Sequence, residues 1–92
     1  MITNFHCPDT EKLFHGSRVA RFNAIASVAM RKLQQLHAAT NIDFLRVPPG
    51  NRLEKLSGDR AGQWSIRIND QWRVCFRFDA GKATSVEIVD YH

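Results

Sequence analysis

Trp64-Ser65-Ile66-Arg67-Ile68-Asn69-Asp70-Gln71-Trp72-Arg73-Val74-Cys75-Phe76-Arg77-Phe78 alternates apolar and polar side chains on both sides of a short polar break. Alternation with period two is the mark of strands with one face buried. Residues directly opposite in an antiparallel pair share a face. A two-residue loop at Asn69-Asp70 would pair Ile66 with Arg73 and mix the faces. A three-residue loop, Asn69-Asp70-Gln71, instead pairs Ile66 with Val74 and Arg67 with Arg73 and keeps them apart, so the odd loop is expected. Trp64, Ile66, Ile68, Trp72, Val74 and Phe76 then form the face that helices cover. Ser65, Arg67, Arg73, Cys75 and Arg77 form the other.

Upstream, the period changes. Phe22, Ile25, Ala29, Leu33 and Leu36 recur at spacings of three and four, which predicts a helix over Val19 to Ala39 packing its apolar stripe on the sheet. Pro8-Asp9-Thr10-Glu11 reads as the start of a shorter helix that Gly16 stops. Met1 to Phe5 reads as a short apolar strand. Asn41 to Leu45 suggests one more turn, and Pro48-Pro49-Gly50-Asn51 is a break. Downstream, Ala80-Gly81 marks a turn, and a last strand is expected from Thr84 to Tyr91. The sum is an α+β domain over residues 1–92, with two N-terminal helices on one face of a mainly antiparallel sheet of four to five strands.

Composition agrees with a globular chain: 92 residues, 43% hydrophobic and 24% charged. No apolar run approaches membrane-span length, so no membrane partner is expected. The first residues lack the regions of a signal peptide, so a cytoplasmic location is expected. Cys7 and Cys75 form no paired motif, which argues against a disulfide framework or zinc knuckle. Cys75 reads as a small buried hydrophobe. His6, His15 and His37 have no metal-ligand partner at helical spacing. No metal and no cofactor is expected.

The formal net charge is +4, and eight of the thirteen Lys and Arg lie from Arg46 onward. This points equally to a polyanion partner and to a solvated sheet face. Arg67 opposite Arg73 is a like-charge pair that needs an offset. Glu54 or Glu87 on a neighbouring strand, or a bound phosphate, would supply it. Asp90 and His92 are common proton-transfer types, and Tyr91 a less common one. Beside a basic face they form a set suited to RNA cleavage. That reaction needs a base for the 2′-OH, cations for the phosphorane and an acid for the leaving oxygen.

Leu56-Ser57-Gly58-Asp59-Arg60-Ala61-Gly62-Gln63-Trp64-Ser65-Ile66-Arg67, then Trp72-Arg73 and the closing Asp90-Tyr91-His92, resemble the HigB toxins of the RelE superfamily. The resemblance runs over essentially the whole chain. It implies a compact RelE-like domain and a ribosome-dependent endoribonuclease that cuts messenger RNA in the A site. It also implies a HigA-like antitoxin with a helix-turn-helix, through which alone operator DNA would be bound. Asp90, Tyr91 and His92 match the family's catalytic cluster, and Arg73 its phosphate-stabilising arginine. Arg52, Lys55, Arg60, Arg67 and Arg77 are expected to hold RNA. Two positions depart from relatives: Glu54 stands where some carry a catalytic histidine, and Ser57 where a lysine is expected. Glu54 would need burial to serve as a base, and Lys55 is a candidate replacement for the lost cation. A non-catalytic inhibitor that occupies the ribosome or RNA is the alternative reading. A third is a protein acting mainly as co-repressor on its antitoxin.

Strand alternation adds a geometric condition. Asp90 shares the parity of Val86 and Ile88, which aims it toward the helices. A bulge, or loss of strand geometry after Val89, would be needed to turn Asp90, Tyr91 and His92 together onto the basic face.

Overall fold

The alternating stretch forms strands β2 (Trp64–Arg67) and β3 (Trp72–Asp79) in the computed structural model, which describes residues 1–90. Ile66 pairs with Val74 and Arg67 with Arg73, the register of the odd loop. The Asn69 carboxamide oxygen accepts from the backbone N–H groups of Gln71 and Trp72 and closes that loop from within. β1 (Glu54–Lys55) and β4 (Lys82–Asp90) complete an antiparallel sheet in the order β1-β2-β3-β4. β1 is too short for periodicity to reveal. Its pairing places Glu54 opposite Ser65 and Lys55 opposite Trp64.

Helix α1 (Pro8–Phe14) begins on the proline, whose absent N–H is no loss in a first turn. Gly16, at φ +93°, ends it while its N–H and that of Ser17 bond back to the carbonyls of Leu13 and Lys12. The longer helix expected from Val19 is two pieces. A 3₁₀ segment spans Ala20–Ile25, and α2 covers Ala26–Ala38. Ile25, at φ −116° and ψ 3°, is the joint between them. The stripe survives the break because residues three apart also stack in a 3₁₀ turn. Phe22, Ala29, Leu33 and Leu36 are all fully buried. They meet Ile66, Val74, Phe76, Val86 and Ile88 in one core, and Phe22 sits edge-on to Trp72 with ring centroids 5.7 Å apart.

Met1 to Phe5 forms no strand of its own. Two isolated parallel bridges, Ile2 to Ala83 and Phe5 to Val86, lay it along β4. Its contact with β4 is set by a bulge: Cys75 pairs with Glu87, but Arg77 pairs with Thr84. Ser85, at φ +53°, carries the extra residue, and its N–H bonds the Asn4 side-chain oxygen at 2.6 Å. The bulge flips the parity of the strand. Ala83 and Val86, three apart, both reach the core, and Glu87 turns to the opposite face. Thr10 ties α1 to β4, because its hydroxyl oxygen accepts from the buried Ile88 N–H at 3.0 Å. Among the described residues no helix is long and apolar enough to cross a membrane.

Candidate functional site

The sheet face turned away from the helices is organised in cross-strand rows. One row is Glu54, Ser65, Cys75 and Glu87, and the next is Arg67, Arg73 and Val89. Ser65 and Cys75 are fully buried although they lie on this face, since long arginine side chains lie over them. Burial pushes the Cys75 thiol up from its ordinary value, and Glu87 and Glu54 nearby add to that against the arginines.

Among the described residues, Ser65 and Arg52 hold Arg73. Its Nε donates to the Ser65 hydroxyl at 2.8 Å, and an Nη donates to the Arg52 carbonyl at 2.7 Å. Arg52 can present that carbonyl because its backbone takes the left-handed conformation, φ 45°, at the end of the Pro49–Asn51 turn. Arg67 is engaged by the exposed Asp70 carboxylate three residues on. The hydrogen bond from Arg67 holds the Asp70 carboxyl below its usual range. The like-charge pair is therefore offset from the loop, by Ser65 and by a backbone carbonyl. Of the two acids on neighbouring strands, Glu54 is exposed one row away and Glu87 pairs with Arg60 at 2.9 Å.

Lys32 of α2 joins this end of the sheet. It donates to the Asn51 side chain at 2.5 Å, and burial first, then Arg31 and Arg67, lowers its affinity for a proton. Local pattern gives no sign that the Pro49–Asn51 turn folds back onto Lys32. The cationic group at this end is thus Lys32, Arg52, Arg67 and Arg73.

The other expected RNA-binding residues fall elsewhere. Lys55 shares the face of Trp64, with its ammonium 5.8 Å from that ring centroid, so it is turned away from Arg73. It therefore does not replace a cation beside Arg73. Arg60 and Arg77 lie at the far end of the open face, in a cleft of about 490 Å³ walled by Asp59, Gln63, Ser85 and Glu87. Glu54 is exposed, so the burial it would need to act as a base is not provided.

Asp90 is in register with Trp72, on the helix side of the sheet, and its carboxylate accepts from the Gln71 side chain at 3.1 Å. The strand has a bulge, but it falls at Ser85, and pairing is regular from Glu87 to Asp90. Asp90 and Arg73 therefore leave adjoining register positions toward opposite faces. Tyr91 and His92 lie outside the described residues. Among the described residues no cluster of His, Cys, Asp and Glu is suited to a metal ion.

Known proteins share both the sequence and the fold. Toxin HigB-1 of Vibrio cholerae serotype O1 is 44% identical over 61 residues, covering 66% of this chain and 64% of that protein. Endoribonuclease HigB of Proteus vulgaris is 39% identical over 61 residues, 66% of this chain and 65% of that one. The matches thus span a little under two thirds of these relatives' own length. The toxin–antitoxin complex of YoeB and YefM from Staphylococcus aureus contains a chain that superposes with a TM-score of 0.62 at 17% identity, covering 100% of this chain and 98% of that one. A second structure of that complex gives 0.57 at 19% identity with the same coverage. The family model for the RelE-like toxin of the type II toxin–antitoxin system HigB matches residues 11–92. Because that match runs from within α1 through α2 and the whole sheet to the chain's last residues, this chain belongs to the HigB-like family of RelE-like toxins of type II toxin–antitoxin systems.

Proposed function

We propose that this chain is an endoribonuclease that acts on messenger RNA in the ribosomal A site and so arrests translation. The observation that carries the reading is Arg73, fixed by Ser65 and Arg52 on an open sheet face beside the last strand. A guanidinium held at two points is preorganised for a phosphate, because it need not reorient as charge develops.

The chemistry is transfer within the RNA backbone. The 2′-oxygen attacks the adjacent phosphorus, the bond to the 5′-oxygen breaks, and a 2′,3′-cyclic phosphate and a free 5′-hydroxyl result. A base takes the 2′-OH proton, and an acid returns a proton to the leaving oxygen. We assign His92 as one of these partners. Asp90 orients it or takes the 2′-OH proton, and Tyr91 stacks on or orients a nucleotide. Arg73, with Arg67 beside it, stabilises the phosphorane without a metal. Arg52 and Lys32 extend the cationic surface for the backbone. Glu54 stands in the row next to Arg73 as an exposed carboxylate and not as a buried base. The partners of this reading are the ribosome, its messenger RNA and a HigA-like helix-turn-helix antitoxin that carries the toxin to operator DNA. The site of action is the cytoplasm.

The test is transcript-end mapping with purified chain, with and without ribosomes, for the wild type and for His92→Ala and Arg73→Ala. Cleavage should require ribosomes, leave cyclic phosphate ends and fall at least about a hundredfold in either variant. Cutting at the wild-type rate by His92→Ala would remove that residue from the mechanism. Growth arrest with intact transcripts would replace cleavage by simple occupation of the ribosome.

A further inference from the structure

The Gly58–Gly62 segment, part of the most distinctive motif in the chain, takes no part in the chemistry assigned to Arg73. It folds as a 3₁₀ turn, Gly58–Arg60, over the end of the open face and walls the cleft that contains Arg60 and Arg77. Gly62 sits at φ +90°, and a β-carbon there would lie 2.6 Å from an Nη of Arg77. The bare glycine is therefore what lets the Arg77 guanidinium approach the loop this closely. Arg60 is neutralised by Glu87 at 2.9 Å and also donates to Gln63.

Asp59 and Arg77 line this cleft, yet among the described residues neither side chain forms an ion pair or hydrogen bond. Opposite charges in one cleft that do not neutralise each other leave room for a ligand with donors on one edge and acceptors on the next. A phosphate does not fit that description. It would gain Arg77 but face two carboxylates, Asp59 and Glu87, in a cleft whose arginines and acids balance. A nucleobase does fit. Guanine suits it best, because N1–H and N2–H donate side by side to a carboxylate, while O6 and N7 accept from a guanidinium fork. Adenine puts a donor beside N7, where the guanidinium would meet it, and pyrimidines lack the N7 edge.

We propose that the cleft between the Gly58–Gly62 loop and β3 takes a single unstacked guanine base, read by Asp59 and Arg77. The proposal rests on the RNA-directed reading above. Arg77 lies four residues beyond Arg73 on the same face, about 13 Å along the strand. The base therefore belongs to a different nucleotide from the one whose phosphate meets Arg73, and the cleft selects sequence context.

The experiment is a titration of the full chain with GMP, AMP, CMP, UMP and inorganic phosphate, followed by backbone amide NMR shifts. GMP should bind about tenfold or more tighter than the other nucleotides, with shifts at Gly58–Gly62 and around Glu87. Asp59→Asn and Arg77→Gln should each erase the preference while amide dispersion stays native. Gly62→Ala, which displaces the Arg77 guanidinium, should weaken GMP in the same way. Equal affinity for all four nucleotides, the same shifts with phosphate alone, or a preference that survives both Asp59→Asn and Arg77→Gln would overturn the proposal. No ribosome or cleavage step enters this titration. A chain that selects guanine but never cuts RNA sinks only the endoribonuclease, and one that cuts without selecting guanine sinks only the base pocket.

Discussion

Replacing Ser65 by alanine removes one hydroxyl from the buried floor of the open face and almost no volume. Ser65 is 0% exposed, and its oxygen accepts from Arg73 Nε at 2.8 Å. The loss is one hydrogen bond to a charged donor, and such bonds contribute about 1.5–3 kcal/mol. Arg73 is only partly buried and keeps the Arg52 carbonyl, so water recovers some of that, and we expect about 1–2 kcal/mol. For a domain of this size that lowers Tm by roughly 5–12 °C. In urea the midpoint should fall with an unchanged slope, because no new surface is exposed. Cleavage should fall by about 5- to 30-fold, less than for Arg73→Ala, since the guanidinium survives but loses its anchor on Ser65. The decisive assay is the double-mutant cycle. If Ser65 acts through Arg73, Ser65→Ala in an Arg73→Ala background costs far less than alone. Strict additivity in both stability and cleavage would refute the reasoning.

Thr10→Val strips the acceptor from the buried Ile88 N–H and should cost about 1–3 kcal/mol by urea unfolding, while Thr10→Ser, which keeps the hydroxyl, should cost much less. Brief alkylation of the native chain should label Cys7 and spare Cys75. Burial of Cys7 works to raise its pKa, but hydrogen bonds from Thr10 and Asp9 and the Arg21 charge outweigh it. Cys75 is buried and pushed the other way. Equal labelling, read by mass spectrometry of peptides, would contradict the packing of the open face. The Asp70 carboxyl is depressed by Arg67, so its contribution is complete above the ordinary value of 3.8 and disappears as pH falls through the lower folded value. Asp70→Asn should flatten that acid limb, and by releasing Arg67 it should steepen the salt dependence of RNA binding by about one unit of slope. Lys32 has the opposite sign of linkage. Its folded pKa is lowered below 10.5, so the charged form costs stability that is regained as pH rises from the folded value to 10.5; Lys32→Met should remove that alkaline rise in the urea midpoint.

Much of this molecule follows from local pattern. The parity of Trp64 to Phe78 demanded the odd loop because a one-residue slip would have buried Arg73 and exposed Val74. The stripe from Phe22 to Leu36 named the buried helix positions, although not the 3₁₀ break at Ile25, since spacings of three fit both helix types. The Leu56–Arg67 motif, Trp72-Arg73 and the terminal Asp90-Tyr91-His92 were enough to point to the family. The partners of each charge were not legible, because they come from contacts far apart in the chain. Arg73 reaches a carbonyl twenty-one residues upstream that exists only because Arg52 takes a left-handed conformation after the Pro49–Asn51 turn. Lys32 joins the cationic end only because that turn folds onto α2. Lys55 and Arg77, equal members of one basic list in sequence, part to opposite faces by register. The bulge at Ser85 sets Glu87 against Arg60 and leaves Asp90 on the side of Trp72, across the sheet from the face that carries Arg73. Hydrophobic periodicity is a property of neighbours along the chain and was there to be read. The direction of a charged side chain depends on a single inserted residue or a distant acceptor, and only the folded sheet decides it.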